Sequence, residues 1–186
     1  METAAHPLHL SVEDYLKFEA DGQVRHEYIG GRVYAMAGTS VRHNLIAGNL
    51  FGALFNHLRG GPCKVHMSDV KVRLEVNRED IFYYPDLMVA CMRDGVEEYF
   101  LRYPKVIVEV LSPSTETTDR REKLLNYRLI PTLAEYVLVA QDTREITLHR
   151  RDEQWRPVVL TTDAATIDFP SLKFSLPLAQ VYEGVE

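Results

Sequence analysis

With 186 residues, 46% of them hydrophobic and 26% charged, the chain is long enough to bury an ordinary core and reads as one globular domain over 1–186. A formal charge of −6 argues against a protein that coats nucleic acid by unspecific phosphate neutralisation. No run reaches the length of a membrane span, the first ten residues lack the pattern of a secretory signal, and Cys63 and Cys91 show no metal-type spacing, so a reduced, cytoplasmic protein without membrane contact is expected.

The charge is unevenly spread. Residues 1–30 hold six acids against Lys17 and Arg25, whereas residues 101–128 hold six bases against four acids. That mildly basic stretch permits contact with a phosphodiester without requiring it.

Ser11 opens a capping-box-like start, with Asp14 where Glu is commoner; Val12, Tyr15 and Leu16 give a short apolar face to a helix that ends by Asp21-Gly22. Residues 24–29 and 32–36 read as a hairpin turned by Gly30-Gly31. Thr39 or Ser40 caps the next helix, in which Ile46, Leu50, Leu54 and Leu58 recur at near-helical spacing and which Gly60-Gly61-Pro62 stops. His43 lies in its first turn and His57 near its end. Residues 63–75 alternate imperfectly, with a register change near Ser68-Asp69 that reads as a bulge.

Asn77 to Asp80 reads as a turn. Phe82 to Cys91 reads as a second strand carrying Asp86, with Pro85 near a strand start or at a bulge because proline cannot donate to a ladder. Residues 92–104 form a polar, partly helical connection. Then come a strand carrying Glu109, the loop Ser112-Pro113-Ser114-Thr115, and a helix over 116–129 capped by Ser114 or Thr115 and ended by Pro131. Glu135 to Ala140, Glu145 to Arg150 and Trp155 to Thr161 read as further strands, and Leu176 to Tyr182 as a short apolar segment. The order gives an α/β or α+β domain with a mixed central sheet.

Three pieces carry the chemistry. Asp86 stands ahead of Leu-Met-Val-Ala and Glu109 sits inside Val-Ile-Val-Glu-Val-Leu. An ionised carboxylate in such an apolar strand is costly unless a cation or strong donors meet it. On neighbouring strands the two acids fall side by side, within reach of one divalent ion. Magnesium suits this design, since it takes one or two carboxylates and fills its other positions with water and phosphate oxygens. Lys123 follows on the next helix, with Asp119 and Tyr127 at i, i+4, i+8 spacing; its ammonium can orient a water nucleophile and stabilise charge on phosphorus oxygens.

Each of these residues also has a plainer role: Asp86 capping a turn, Glu109 paired with an arginine, Lys123 in a surface ion pair with Asp119. Glu27 is either a further carboxylate or an exposed hairpin residue, and His43 either a phosphate contact or part of a helix cap. Ser112, Ser114 and Thr115 lie between a strand and a helix start, which suits anion contact as well as capping. No Ser-His-Asp order and no glycine-rich phosphate loop stands out.

At Pro85-Asp86, Glu109 and the string EVLSPST…D…EK…Y the chain resembles the PD-(D/E)XK nuclease superfamily, and more closely the Uma-type restriction endonuclease family. The likeness runs from SVEDYL through HEYIGGRVYAMAG to the late strands. It implies a restriction-endonuclease-like core, a mixed sheet flanked by helices, and a homodimer. It also implies that Asp86 and Glu109 bind the metal, that Lys123 stabilises charge or positions water, and that Glu27 is a fourth catalytic member. The superfamily places a lysine two residues after the acid, where this chain has Leu111; in this family the lysine comes from the following helix, which matches Lys123.

The resulting expectation is a Mg2+-dependent endonuclease acting on DNA, with Mn2+ as a substitute ion and His43, Ser112, Thr115 and Tyr127 contacting the substrate. Two rivals stand beside it. One is a nucleic-acid-binding module on the same fold without catalysis, which the acidic charge favours. The other is a carboxylate hydrolase of a different substrate such as a sugar, which leaves Lys123 unused.

Overall fold

In the computed structural model, which describes residues 9–91, 95–113 and 115–185, local signals set the first third of the chain. Helix α1 (Val12–Asp21) begins where the Ser11 hydroxyl accepts from the backbone N–H of Asp14 and donates to the Asp14 carboxylate. Strands β1 (His26–Ile29) and β2 (Arg32–Ala35) pair antiparallel, with Ile29 opposite Arg32. Gly30 and Gly31 between them both take positive φ, which a two-residue turn of this hand requires. The Ser40 hydroxyl accepts from the His43 N–H to cap helix α2 (Val41–Leu58), whose Ile46, Leu50 and Leu54 are fully buried.

The next segment departs from expectation. Residues 63–75 are two strands, β3 (Lys64–Met67) and β4 (Lys71–Val76), rather than one bulged strand. Likewise the expected strand over 82–91 divides into β5 (Glu79–Tyr83) and β6 (Leu87–Ala90). Asp69 takes φ 75, which turns the backbone out of an extended path, and Pro85 has no N–H to continue a ladder. Both breaks therefore move the chain from one sheet to another. Of the connection over 92–104, residues 92–94 lie outside the described residues; the remainder holds the short strand β7 (Phe100–Leu101) and no helix.

Strand β8 (Val106–Leu111) leads to one helical stretch made of α3 (Glu116–Thr118), a π-helical turn (Asp119–Lys123) and α4 (Leu124–Tyr127). Ser114 lies outside the described residues. Thr115 does not cap this stretch with its side chain; its hydroxyl lies 3.0 Å from that of Ser112 instead. Strands β9 (Glu135–Ala140), β10 (Ile146–Arg150), β11 (Pro157–Leu160), β12 (Thr166–Phe169) and β13 (Phe174–Pro177) follow, and α5 (Leu178–Val181) closes the described chain.

The strands form a five-stranded sheet of order β2-β1-β5-β4-β7, a six-stranded sheet of order β11-β10-β9-β8-β6-β3 and the β12–β13 pair. The larger sheet is mixed, β8 and β9 being parallel and its other pairs antiparallel. Its central strands are buried on both faces, which is why they read as unbroken apolar runs. Val106, Val108 and Val110 of β8 pack with α2 and α5, whereas Ile107 and Leu111 pack with Tyr127 and the smaller sheet. Glu109 shares the second face by alternation.

The β3–β6 register sets Lys64 against Ala90, which brings Cys63 opposite Cys91, and the two form a disulfide. This corrects the expectation of reduced cysteines. The sequence offered only their spacing, and their pairing depends on which strands become neighbours. Among the described residues no helix is long and apolar enough to cross a membrane.

Candidate active site

Antiparallel pairing of β6 with β8 sets Leu87 against Val108, so Asp86 and Glu109 form the next pair along. Asp86 sits in the junction between β5 and β6 rather than inside a strand. Its Oδ2 accepts from the Val110 N–H at 2.7 Å, and its own N–H points at Glu109 Oε2 at 3.4 Å. The imidazole Nε2 of His43 approaches the same Asp86 Oδ2 to 3.2 Å.

Lys123 projects from the π-helical turn into the middle of this group. Its Nζ lies 2.9 Å from Glu27 Oε1, 3.1 Å from Asp119 Oδ1 and 3.3 Å from Glu109 Oε1. The Glu27 and Asp119 oxygens meet the ammonium off line: they are close charge contacts, and neither accepts an aligned hydrogen bond. The Tyr83 ring lies 5.3 Å from the same ammonium. A π turn is a rare departure from the α-helix that is frequent at functional positions, and here it carries both Asp119 and Lys123.

Four carboxylates thus converge on one lysine and one histidine. Burial pushes the Glu109 carboxyl well above the usual range; Lys123 pulls it back, while Asp119, Asp86 and Glu27 push it further up. For Lys123, burial works against the charge, but Glu109, Glu27 and Asp119 together hold the ammonium well above its ordinary value. Burial lowers His43, and the hydrogen bond and charge of Asp86 more than reverse that, so its imidazole ends above the ordinary value. Tyr127 donates its hydroxyl to Glu109 Oε1 at 3.0 Å, and burial followed by the Glu109 charge raises its phenol well above normal.

A cavity of about 530 Å³ opens over these groups. Glu27, His43, Asp86, Glu109 and Lys123 line it, with Ser112 and Thr115 further along the same wall. Glu27 is a cavity residue with a side chain 16% exposed, not an exposed hairpin glutamate. Tyr127 stands apart: it is fully buried behind Glu109 and does not line the cavity.

The sequence placed Asp119 on the helix face of Lys123 and gave it no role beyond an ion pair, yet it is a fourth carboxylate of the cavity wall. Nothing local signals that its helix face is buried. Behind the site, Tyr83 donates to Glu122 at 3.0 Å and accepts from Asn126 at 2.8 Å, which holds the helix against β5. Asp86 and Glu109 are the pair that could hold a divalent cation. Among the described residues no three His, Cys, Asp or Glu side chains form a metal cage.

Residues 12–179 match the family model for Uma2, described as putative restriction endonuclease. A protein of Synechocystis described as uncharacterized is 36% identical over 178 residues, covering 95% of this chain and 93% of its own length. A second Synechocystis protein, likewise described as uncharacterized, is 30% identical over 169 residues, covering 88% of this chain and 94% of its own. The crystal structure of a putative nuclease from Anabaena variabilis matches with a TM-score of 0.77 at 18% identity, over 95% of this chain and 99% of that one. The two share a mixed α/β, restriction-endonuclease-like fold. On the extent of the family match and of these relatives, the chain belongs to the Uma2 family, whose description is putative restriction endonuclease.

Proposed function

We propose that the chain is a Mg2+-dependent endonuclease that hydrolyses DNA phosphodiester bonds in this cavity, and that it works as a homodimer. One observation carries the reading: Asp86 and Glu109 sit side by side across β6 and β8, with the Lys123 ammonium against Glu109.

The residues fit a magnesium-type ion on two counts. The donors are carboxylate oxygens, and two of them satisfy an ion that keeps most of its shell for water and phosphate. The pocket also holds more acids than cations: burial first raises the Glu109 carboxyl, and the neighbouring acids add to that, a negative charge that a divalent ion offsets. A zinc site would instead need three or four protein ligands. Asp86 and Glu109 would hold the ion, which supplies Lewis acidity toward the scissile phosphate and a more acidic water.

The chain's own groups do the positioning. The Val110 N–H fixes Asp86, and the Tyr127 hydroxyl fixes one oxygen of Glu109 while leaving the other directed at Asp86. Lys123, held from three sides, presents a fixed positive charge that stabilises the phosphoryl oxygens as charge builds on them. His43, held on Asp86 Oδ2, and the mutually bonded hydroxyls of Ser112 and Thr115 line the cavity where phosphate would sit.

Asp86→Ala should abolish Mg2+-dependent nicking of plasmid DNA while leaving the circular dichroism spectrum intact; cleavage that persists in this variant removes the assignment. A second reading, a module that binds DNA without cutting it, draws on the cavity wall. Among the described residues lining it, Lys123 is the one lysine or arginine. DNA binding by the native chain with no turnover in Mg2+ or Mn2+ selects that reading.

A further inference from the structure

Beside Glu27, the cavity carries a stretch of wall that the proposed hydrolysis does not use. In the β1–β2 hairpin Glu27 and Tyr34 are direct partners, so their side chains leave the same face. Glu27 reaches Lys123, and the same face brings the Tyr34 ring to the cavity. Met36, two residues further on, also lines it, and its N–H is held by the Arg25 carbonyl at 2.8 Å. The other tyrosines at or behind the site are buried and spend their hydroxyls on protein acceptors, Tyr84 on Glu19, Tyr83 on Glu122 and Tyr127 on Glu109. Tyr34 is 48% exposed and Met36 37%, and among the described residues no ring or hydrogen-bonding group engages the Tyr34 side chain.

Two further observations bear on what this wall receives. The lysine of the cavity is already shared among three carboxylates, so little positive charge remains to neutralise a run of phosphates. Duplex binding draws most of its affinity from such neutralisation. At about 530 Å³ the space is also of the size that takes one small ligand. A strand held here must gain its affinity elsewhere, and an exposed aromatic ring beside a thioether offers a flat, polarizable surface for stacking. A base inside a duplex has no free face to give it; an unpaired base does.

Resting on the nuclease reading, we propose that Tyr34 and Met36 form a platform on which an unpaired nucleobase next to the scissile phosphate stacks, which makes single-stranded DNA the preferred substrate. Binding is measured by fluorescence anisotropy with a labelled oligonucleotide, single-stranded or annealed to its complement. The Asp86→Ala background stops cleavage and removes one anionic group from the cavity. There the single strand should bind more tightly than the duplex, and adding Tyr34→Ala should weaken single-strand binding by about 5- to 150-fold. Tyr34→Phe should preserve it, and duplex binding should barely change. Equal affinity for the two forms, no binding of either, or an unaffected Tyr34→Ala variant overturns the platform.

A parallel Mg2+ cleavage assay on otherwise native chains separates this from failure of the parent reading. Cleavage that ignores strandedness and Tyr34 refutes the platform and leaves the nuclease standing. Stacking-dependent binding with no cleavage of any DNA refutes the nuclease and leaves the platform.

Discussion

Glu109→Gln separates a carboxylate kept for chemistry from one kept for stability. The side chain is 3% exposed, and its Oε1 is met by the Lys123 ammonium at 3.3 Å and the Tyr127 hydroxyl at 3.0 Å. At an effective dielectric near 20 the lysine contact is worth about 5 kcal/mol before desolvation. Against it stand the burial of the charge and repulsion from Asp119, Asp86 and Glu27, and the net result is a carboxyl that holds its proton well above the usual range. Glutamine removes the charge, keeps the shape and still offers a carbonyl to Tyr127. Lys123 keeps Glu27 and Asp119 as partners. The variant should therefore be as stable as the native chain or more so at pH 8, by up to about 1–4 kcal/mol, the range seen when buried charges are replaced by neutral groups.

The pH dependence carries a definite sign. In the folded chain the Glu109 carboxyl takes a proton more readily than in the unfolded chain, where its value is 4.5. From that value up to the raised folded one the folded state binds more protons, so native stability falls as pH rises through the window. Glutamine has no such fall. Urea unfolding at pH 5 and pH 8 should show the variant's advantage opening as pH rises, while DNA cleavage is lost at both. A variant that is less stable by more than about 1 kcal/mol at pH 8, with the deficit growing from pH 5, would mean that the carboxylate is ionised and stabilising, and the reasoning fails.

Three other outcomes follow from the same contacts. Mg2+ should raise the melting temperature of the native chain, by the equivalent of about 2.7 kcal/mol at a hundredfold excess over its Kd, and Asp86→Ala should remove the shift; an equal shift in both places the ion elsewhere. Glu19→Ala removes the acceptor of the Tyr84 hydroxyl at 2.6 Å and the partner of the His26 ring at 2.9 Å, and leaves buried Lys71 with Asp69 alone of the two acids that favour its charge. Thermal or urea unfolding should show a loss of about 3–5 kcal/mol, and a loss under 1 kcal/mol would mean that this network contributes little. Reducing Cys63–Cys91, which are 28 residues apart, should lower stability by up to about 3–4 kcal/mol; titratable thiols in the untreated protein, or an unchanged melt with reductant, would contradict the bridge.

The parts of the fold legible in sequence are those set by neighbours along the chain. Ser11 and Ser40 cap helices because each acceptor lies three residues from its donor, and Gly30-Gly31 sets a hairpin register that carries Glu27 opposite Tyr34. The acids in apolar runs were legible for a different reason: an ionisable group where every neighbour is apolar needs a partner, and Lys123 on the following helix was the cation at hand, which the family pattern then matched. The Glu19 network was not legible. A glutamate on a short amphipathic helix reads as solvated, and its strongest partner, Tyr84, lies 65 residues away. Cys63–Cys91 failed for the same reason, since only the β3–β6 register brings the two together.

Two of the remaining misreadings fall at the site, and their place there has a cause. Period-two alternation looks the same whether a strand continues or passes to another sheet, so nothing in the spacing of residues 82–91 marks the break at Tyr84-Pro85-Asp86. A helical i, i+4 pair looks the same whether its face meets water or protein, so spacing alone left a surface pair of Asp119 and Lys123 open beside the catalytic reading of Lys123. Each irregularity nevertheless serves the site. Had β5 run on unbroken, the Asp86 N–H would be committed to a ladder; released from one, it turns toward Glu109 Oε2 while its carboxylate takes the Val110 N–H. Had the helix kept α spacing through Asp119–Lys123, the turn that seats both side chains in the pocket would be narrower by a residue. The positions where regular structure gives way are the ones that let two acids and an ammonium meet, which is why a reading built on regular periods finds these residues and misplaces the backbone that carries them.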